Sequence, residues 1–297
     1  MNMQDNENIL NNCIFLLLNI HKFYDIMIKI IVAKRKGSFM RADKFLFEKG
    51  LAKSRSHAAA LLKDGVLLYG KRIEKPSFEI AEDTPVSALI IQNPSKYVSR
   101  GGIKLEAAIR IFSPDLADAV ALDLGASTGG FTDCLLQNGA KKVYAVDVGH
   151  GQLDPTLQND PRVISLEGTN ARTLTPDMTG EICDVAVSDL SFISQALIYD
   201  AVRANIRVGG IFISLIKPQF EAGKEHIGKG GIVRDRKIHR AVIERLFQAA
   251  EEAELYPQSL TVSPIEGGDG NREYLALFRV GERPAQAQID IQKTVFS

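Results

Sequence analysis

The stretch Ile211-Phe-Ile-Ser-Leu-Ile216 leaves almost no polar face, and this constrains the fold more than any other feature of the chain. A strand with one wet face alternates apolar and polar residues. A strand without that alternation must be covered on both sides, as in a parallel sheet sandwiched between helices. From about residue 96, β runs alternate with helical stretches. The runs are predicted at Val120–Leu124, Lys142–Val148, Arg162–Leu166, Asp184–Ser188, Gly210–Ile216, Ser259–Val262 and Tyr274–Val280. That order predicts an α/β domain with a mostly parallel sheet. No internal repeat or low-complexity tract interrupts it.

The 297 residues allow this domain and one smaller one. Arg41–Gly50 has apolar residues at helical spacing and a glycine stop. A second helix is predicted at His57–Lys63, capped by Ser54 or Ser56 and ended by Gly65. Val66–Tyr69, a turn at Gly70-Lys71 and short β segments to Ile91 complete a small α+β module. Asn93-Pro94-Ser95 reads as a linker. The expected division is an extension over 1–39, a module over 40–92, a linker over 93–98, an α/β domain over 99–282 and a tail over 283–297. In the extension, Cys13–Leu18 and Ile26–Val32 both fall short of the ~20 apolar residues that span a bilayer. Met40 begins what reads as a domain start, so the extension is expected to lie outside the native fold.

Lys plus Arg and Asp plus Glu both number 36, so net charge names no partner, but its distribution does. Between Arg41 and Lys75 nine basic residues face four acids, a local excess that attracts phosphate backbones. Cys13, Cys134 and Cys183 lie far apart, which argues against a zinc site or a disulfide framework and fits a reducing cytosol. No metal ligand set is expected.

The first β run of the larger domain ends in Asp123-Leu-Gly125-Ala-Ser-Thr-Gly129-Gly130-Phe131. Glycines after a first strand let the backbone approach a ligand closely. Ser127 stands where a dinucleotide fold places a glycine against its pyrophosphate, so the loop suits a cofactor without phosphates. The second run ends near Asp147, which lies 22 residues beyond Gly125, and an acid there can accept hydrogen bonds from ribose hydroxyls.

Four further segments carry charge at element ends: Lys104 in Ser99-Arg100-Gly-Gly-Ile-Lys104, Asp189 after one strand, Lys217 after another, and Glu273 before the last. Carboxyl ends of strands face the ligand crevice in an open α/β sheet, so Asp189 and Lys217 are expected to converge there. Any one of the four could be an ordinary solvated charge; the alternating set is harder to dismiss.

The loop resembles that of the class I S-adenosylmethionine methyltransferases, a Rossmann-like fold with a seven-stranded sheet. The resemblance makes Asp123, Gly125, Ser127, Gly129, Gly130, Phe131, Asp147 and Asn170 the candidate cofactor residues, with Asn170 at the adenine. Lys104, Asp189, Lys217 and Glu273 match the K-D-K-E tetrad of FtsJ-type ribose 2′-O-methyltransferases. A ribose hydroxyl is a poor nucleophile until positioned and deprotonated, and a lysine amine can take that proton if neighbouring charge lowers its pKa. Lys217 is the candidate base and Asp189 its orienting partner.

Residues 40–90 resemble an S4 RNA-binding domain through Arg41-x-Asp43-x-x-Leu46, Ala52-x-Ser54-Arg55-x-x-Ala58 and Asp64-Gly65. S4, then Tyr97-Val-Ser-Arg-Gly-Gly-Ile-Lys-Leu105, then Lys217-Pro-Gln-Phe-Glu221 is similar to the TlyA family over roughly 40–280. The resemblance implies S-adenosylmethionine-dependent 2′-O-methylation of cytidine in 16S and/or 23S ribosomal RNA in the cytoplasm. Arg41, Lys44, Arg55, Lys63 and Arg100 are its candidate RNA contacts, and ribosomal subunits its partners. The glycine-rich segment Glu221–Val233 could order on RNA. Two rivals are a membrane-active protein, since hemolysin is also a family name, and a ribosome-binding factor without chemistry. No spanning helix, secretion signal or cationic amphipathic helix favours the first; the presence of all four tetrad positions speaks against the second.

Overall fold

The structure, a computed structural model, describes residues 38–52, 54–91, 96–267, 270–283 and 289–297. Up to position 37, the expectation for the N-terminal extension therefore lies outside the described residues. The chain forms two compact units, Met1–Asn93 and Pro94–Ser297.

The first unit contains β1 (Phe39–Arg41), α1 (Ala42–Glu48), α2 (Arg55–Gly65), β2 (Val66–Leu68), β3 (Lys71–Ile73), β4 (Glu79–Ala81) and β5 (Leu89–Ile91). β1 pairs antiparallel with β4, and β2 lies between β3 and β5. Ser54 is the cap of α2: its hydroxyl accepts from His57 N at 3.0 Å. Tyr69 and Gly70 both take positive φ, 49° and 78°, so a tight turn joins β2 to β3. Phe45, Leu46, Leu61, Leu62 and Ile80 form the core. The sequence reading missed β1. Its ladder takes in Phe39, and Glu82 N donates to Ser38 O, so the folded module starts before Met40.

The second unit runs α3 (Gly101–Phe112), β6 (Val120–Leu124), α4 (Gly130–Gln137), β7 (Lys142–Asp147), β8 (Val163–Glu167), β9 (Cys183–Ser188), α5 (Tyr199–Asn205), β10 (Ile206–Ile216), α6 (Arg236–Glu252), β11 (Leu255–Val262), β12 (Tyr274–Val280) and α7 (Ile291–Phe296), with shorter helical turns between. The sheet order is β11-β12-β10-β9-β6-β7-β8. β6 to β10 pair in parallel, while β12 runs antiparallel to both neighbours. Phe212 and Ile213, adjacent on β10, enter different hydrophobic clusters, so this strand is buried on both faces as its composition requires.

Three boundaries differ from the sequence reading. β10 begins at Ile206 because its ladder to β9 slips between Ile206 and Ile211, around two glycines. β11 begins at Leu255, with a register shift beside Pro257 that breaks the apolar pattern. Tyr97 and Val98, expected in a linker, are buried in the second unit: Val98 N donates to Asp133 Oδ2 at 2.9 Å, and Gly102 makes room for the Tyr97 ring. The C-terminal stretch also folds. α7 buries Val295, and Arg272 and Arg236 donate to its last carbonyls. Among the described residues no helix is long and apolar enough to cross a membrane.

Candidate active site

The glycine loop leaves β6 at the carboxyl end of the sheet. Gly125, Ser127 and Gly129 take φ of 86°, 47° and 91°. Gly125 N and Ala126 N both donate to Val146 O, which ties the loop to β7. At Gly129 a Cβ would lie 2.3 Å from Leu157 Cδ1, and at Gly130 one would lie 2.1 Å from Ser99 Oγ, so close packing explains both glycines. The loop opens onto a pocket bordered by Gly125, Ala126, Ser127, Thr128, Gly130 and Phe131, by Ser99 and Gly101 at the start of α3, and by Asp189, Ser191 and Lys217.

Asp123 sits buried beneath this loop. Its Oδ2 accepts from Thr132 Oγ1 at 2.7 Å, and its Oδ1 has no partner among the described residues. Burial pushes its carboxyl up to about 7, opposed by the Thr132 hydrogen bond. Asp147, half-buried, accepts from Ser127 N and Gly149 N, both at 2.8 Å. Asn170 caps the turn Ala171–Thr173 by accepting from Arg172 N at 3.1 Å. The Thr169 amide beside it donates to Asp147 O at 3.0 Å, which holds this segment against the end of β7.

The register brings three of the four charged residues, Asp189, Lys217 and Glu273, to neighbouring strand ends, and Lys104 comes from helix α3. Ser188, which precedes Asp189, pairs with Ser214 across β9 and β10. Ile216, which precedes Lys217, pairs with Tyr274, which follows Glu273. Lys217 Nζ lies 2.6 Å from Asp189 Oδ1 and donates to Ser191 Oγ at 2.9 Å. Lys104 Nζ, from the first turns of α3, lies 2.5 Å from Glu273 Oε2. Gln219 Nε2 donates to Glu273 Oε1 at 3.2 Å, and so links the Lys217 segment to the second pair. A Cβ on Gly101 would lie 3.6 Å from Asp189 Oδ2, which puts the start of the Lys104 helix beside the first pair. Lys217 and Asp189 line the pocket.

Sequence reasoning missed the brace behind these residues. Gln195 accepts from Ser188 Oγ at 2.8 Å and donates to Leu215 O at 3.1 Å, clamping β9 to β10. Gln195 N and Ser194 Oγ donate to the two oxygens of buried Glu221, at 2.7 and 2.8 Å. Burial raises the Glu221 carboxyl, while these donors and Arg245 act the other way. Glu221 closes the Lys-Pro-Gln-Phe-Glu segment, the one signal that could have exposed it. Phe192, at φ 67° and 86% exposed, leans on Phe220 with ring centroids 4.8 Å apart.

In the first unit, Arg41 and Arg55 both bond buried Asp43, at 3.0 and 2.7 Å, and remain about half exposed. Lys44 pairs loosely with Glu48 at 3.5 Å, and Lys63 is exposed in the last turn of α2. Arg100 belongs to the second unit, half-buried at the entry to α3.

A seven-stranded sheet with only β12 reversed, a glycine loop after β6 and an acid after β7 define the Rossmann-like class I methyltransferase fold. The pattern of FtsJ-like methyltransferases matches residues 97–280, and that of the S4 domain matches 40–86. The chain is 45% identical to YqxC of Bacillus subtilis over 79% of its length and 84% of that protein. It is 41% identical to the 16S/23S rRNA (cytidine-2'-O)-methyltransferase TlyA of Mycobacterium tuberculosis, over 80% of this chain and 89% of that one. A solved structure from Streptococcus thermophilus that carries the hemolysin name superposes with a TM-score of 0.69 at 40% identity, covering 88% of this chain and 96% of that one. The chain belongs to the FtsJ-like methyltransferase family, with an S4 domain in front of the catalytic domain.

Proposed function

We propose that this protein transfers a methyl group from S-adenosylmethionine to the ribose 2′ oxygen of a cytidine in ribosomal RNA, of the 16S and/or 23S type. The observation that carries the reading is the meeting of two ion pairs, Lys217–Asp189 and Lys104–Glu273, at adjoining strand ends beside the glycine-loop pocket. The name of the Mycobacterium tuberculosis relative points to the same chemistry.

The pocket and the residues around it fit that cofactor. Asp123 holds an unpartnered buried oxygen beneath the loop, Asp147 offers an acceptor, and Gly101 keeps a side chain out of the space between Ser99, Asp189 and Phe131. When bound, S-adenosylmethionine would supply an electrophilic methyl carbon on a positive sulfonium. Asp123, Gly125, Ser127, Gly129, Gly130, Phe131, Asp147 and Asn170 would hold it.

Lys217 takes the role of base. As a free amine, its own proton given up to solvent, it would accept the hydroxyl proton, while Asp189, 2.6 Å away, and the Ser191 hydroxyl, at 2.9 Å, hold it in place. Asp189 fixes where the amine points. Lys104, neutralised by Glu273, steers the hydroxyl, and Gln219 keeps Glu273 in register. Phe192, packed on Phe220 whose ring lies under Lys217 Nζ, offers an exposed ring on which an unstacked nucleobase can lie. Arg41, Lys44, Arg55, Lys63 and Arg100 would contact phosphates, with cytosolic ribosomal subunits as the partner. Much of the acceleration comes from alignment of the reacting atoms, for which model reactions allow about 7–11 kcal/mol.

Lys217→Ala tests the assignment. Calorimetry should find S-adenosylmethionine bound as tightly as by wild type, while methyl transfer to ribosomal subunits falls by about 10²–10⁴. Unchanged turnover would remove Lys217 from the mechanism.

A further inference from the structure

A ribose diol both donates and accepts hydrogen bonds, whereas an ionised carboxylate only accepts. Asp147 already takes one backbone N–H on each oxygen. It can receive the hydroxyl protons of a nucleoside, but it returns nothing to the hydroxyl oxygens.

Gln152 carries a donor close to Asp147. Its Oε1 accepts from Ser127 Oγ at 3.2 Å, and its Nε2 has no hydrogen-bond partner among the described residues. A Cβ on Gly149 would lie 1.8 Å from Gln152 Nε2 and 3.2 Å from Asp147 Oδ1, so the free N–H group and the carboxylate border the same small volume. The main chain fixes this placement: Gly151 N and Gln152 N donate to Glu167 at 2.8 and 3.3 Å, and Asp154 N donates to Thr128 O at 3.2 Å. Gln152 is exposed, so its carboxamide satisfies no core group. Ser127 adds an independent sign. It occupies left-handed backbone at φ 47°, where glycine is unstrained, yet it carries a hydroxyl, and that hydroxyl orients Gln152.

We propose that Gln152 is the donor half of a clamp for a vicinal ribose diol, with Asp147 the acceptor half and Ser127 a positioning residue. The ligand class is a nucleoside with both hydroxyls free. This rests on reading the pocket as an S-adenosylmethionine site and adds a residue that the glycine loop and strand-end acid do not include.

The test is calorimetric titration of the full chain with S-adenosylhomocysteine and with its 2′,3′-dideoxy analogue, for wild type, Gln152→Ala and Gln152→Glu. Gln152→Ala should weaken the parent ligand about tenfold, the worth of one net hydrogen bond, and leave the dideoxy affinity unchanged. Gln152→Glu, which accepts but cannot donate, should do no better than alanine. Equal weakening of both ligands would make Gln152 a loop buttress and overturn the clamp, as would no weakening of either. Wild type that binds parent and dideoxy ligand equally would sink the clamp while leaving the cofactor reading standing. Wild type that binds neither would remove both.

Discussion

Water reaches the two ion pairs unequally. The side chains of Lys104 and Glu273 keep 11% and 2% of their exposure, those of Lys217 and Asp189 11% and 23%. Removing one partner of the drier pair strands a charge in the interior, at a cost of about 3–5 kcal/mol. Lys104→Ala should therefore lower the unfolding free energy in urea by about that much. Lys104→Met with Glu273→Leu should regain most of it and remain inactive; recovered methyl transfer in the double variant would reduce the pair to scaffolding. Asp123 gives a pH signature. Its carboxyl sits near 7 when folded, above its ordinary value of 3.8, so between these values the folded chain keeps a proton that the unfolded chain has lost. Its contribution to stability falls as pH rises through that window and is level above it. The melting temperature of Asp123→Asn, relative to wild type, should rise from about pH 4 to about 7 and then stay flat; a falling difference would contradict this. The four charges were legible only as a set of alternating sign, since any one alone reads as an ordinary solvated charge. Gln195 and Gln152 were not, since nothing local separates a bracing or ligand-facing polar side chain from a solvated one.

At the scale of elements, the segment before α3 matters as much as the helix. Tyr97 packs so closely that a Cβ on Gly102 would lie 2.3 Å from the ring's Cγ. In an open helix, glycine to alanine gains roughly 0.5–1 kcal/mol. Here the sign should reverse: Gly102→Ala should cost about 1–3 kcal/mol through overpacking. It should also weaken cofactor binding, because Ser99 and Gly101, just before it in the chain, line the pocket. Thermal melts and calorimetry together check this, and a stabilised variant with unchanged binding would contradict it. All seven sheet strands were legible in the sequence, the inner ones because a strand covered on both faces has to be apolar. β1 was too short to show a period, and the start of β11 was masked by Pro257 and its register shift. α7 follows a polar stretch, and its anchorage on Arg272 and Arg236 is purely tertiary.

The whole molecule balances 36 basic against 36 acidic residues, yet concentrates basic charge on the module that carries the S4 pattern. That asymmetry along the chain makes a division of labour legible: one part to engage a polyanion, another to perform a transfer. The division into two units was equally visible, but the linker was placed too far along, because a buried Tyr97-Val98 reads the same as an exposed one. The central claim is that the tetrad acts on a ribose hydroxyl of RNA. Its most direct test incubates ribosomal subunits with methyl-labelled S-adenosylmethionine and either wild-type or Lys217→Ala protein, digests the RNA to nucleosides and identifies the labelled one by mass spectrometry. The account predicts 2′-O-methylcytidine with wild type and none with the variant. Label on a base, or equal label on ribose from both proteins, would contradict it.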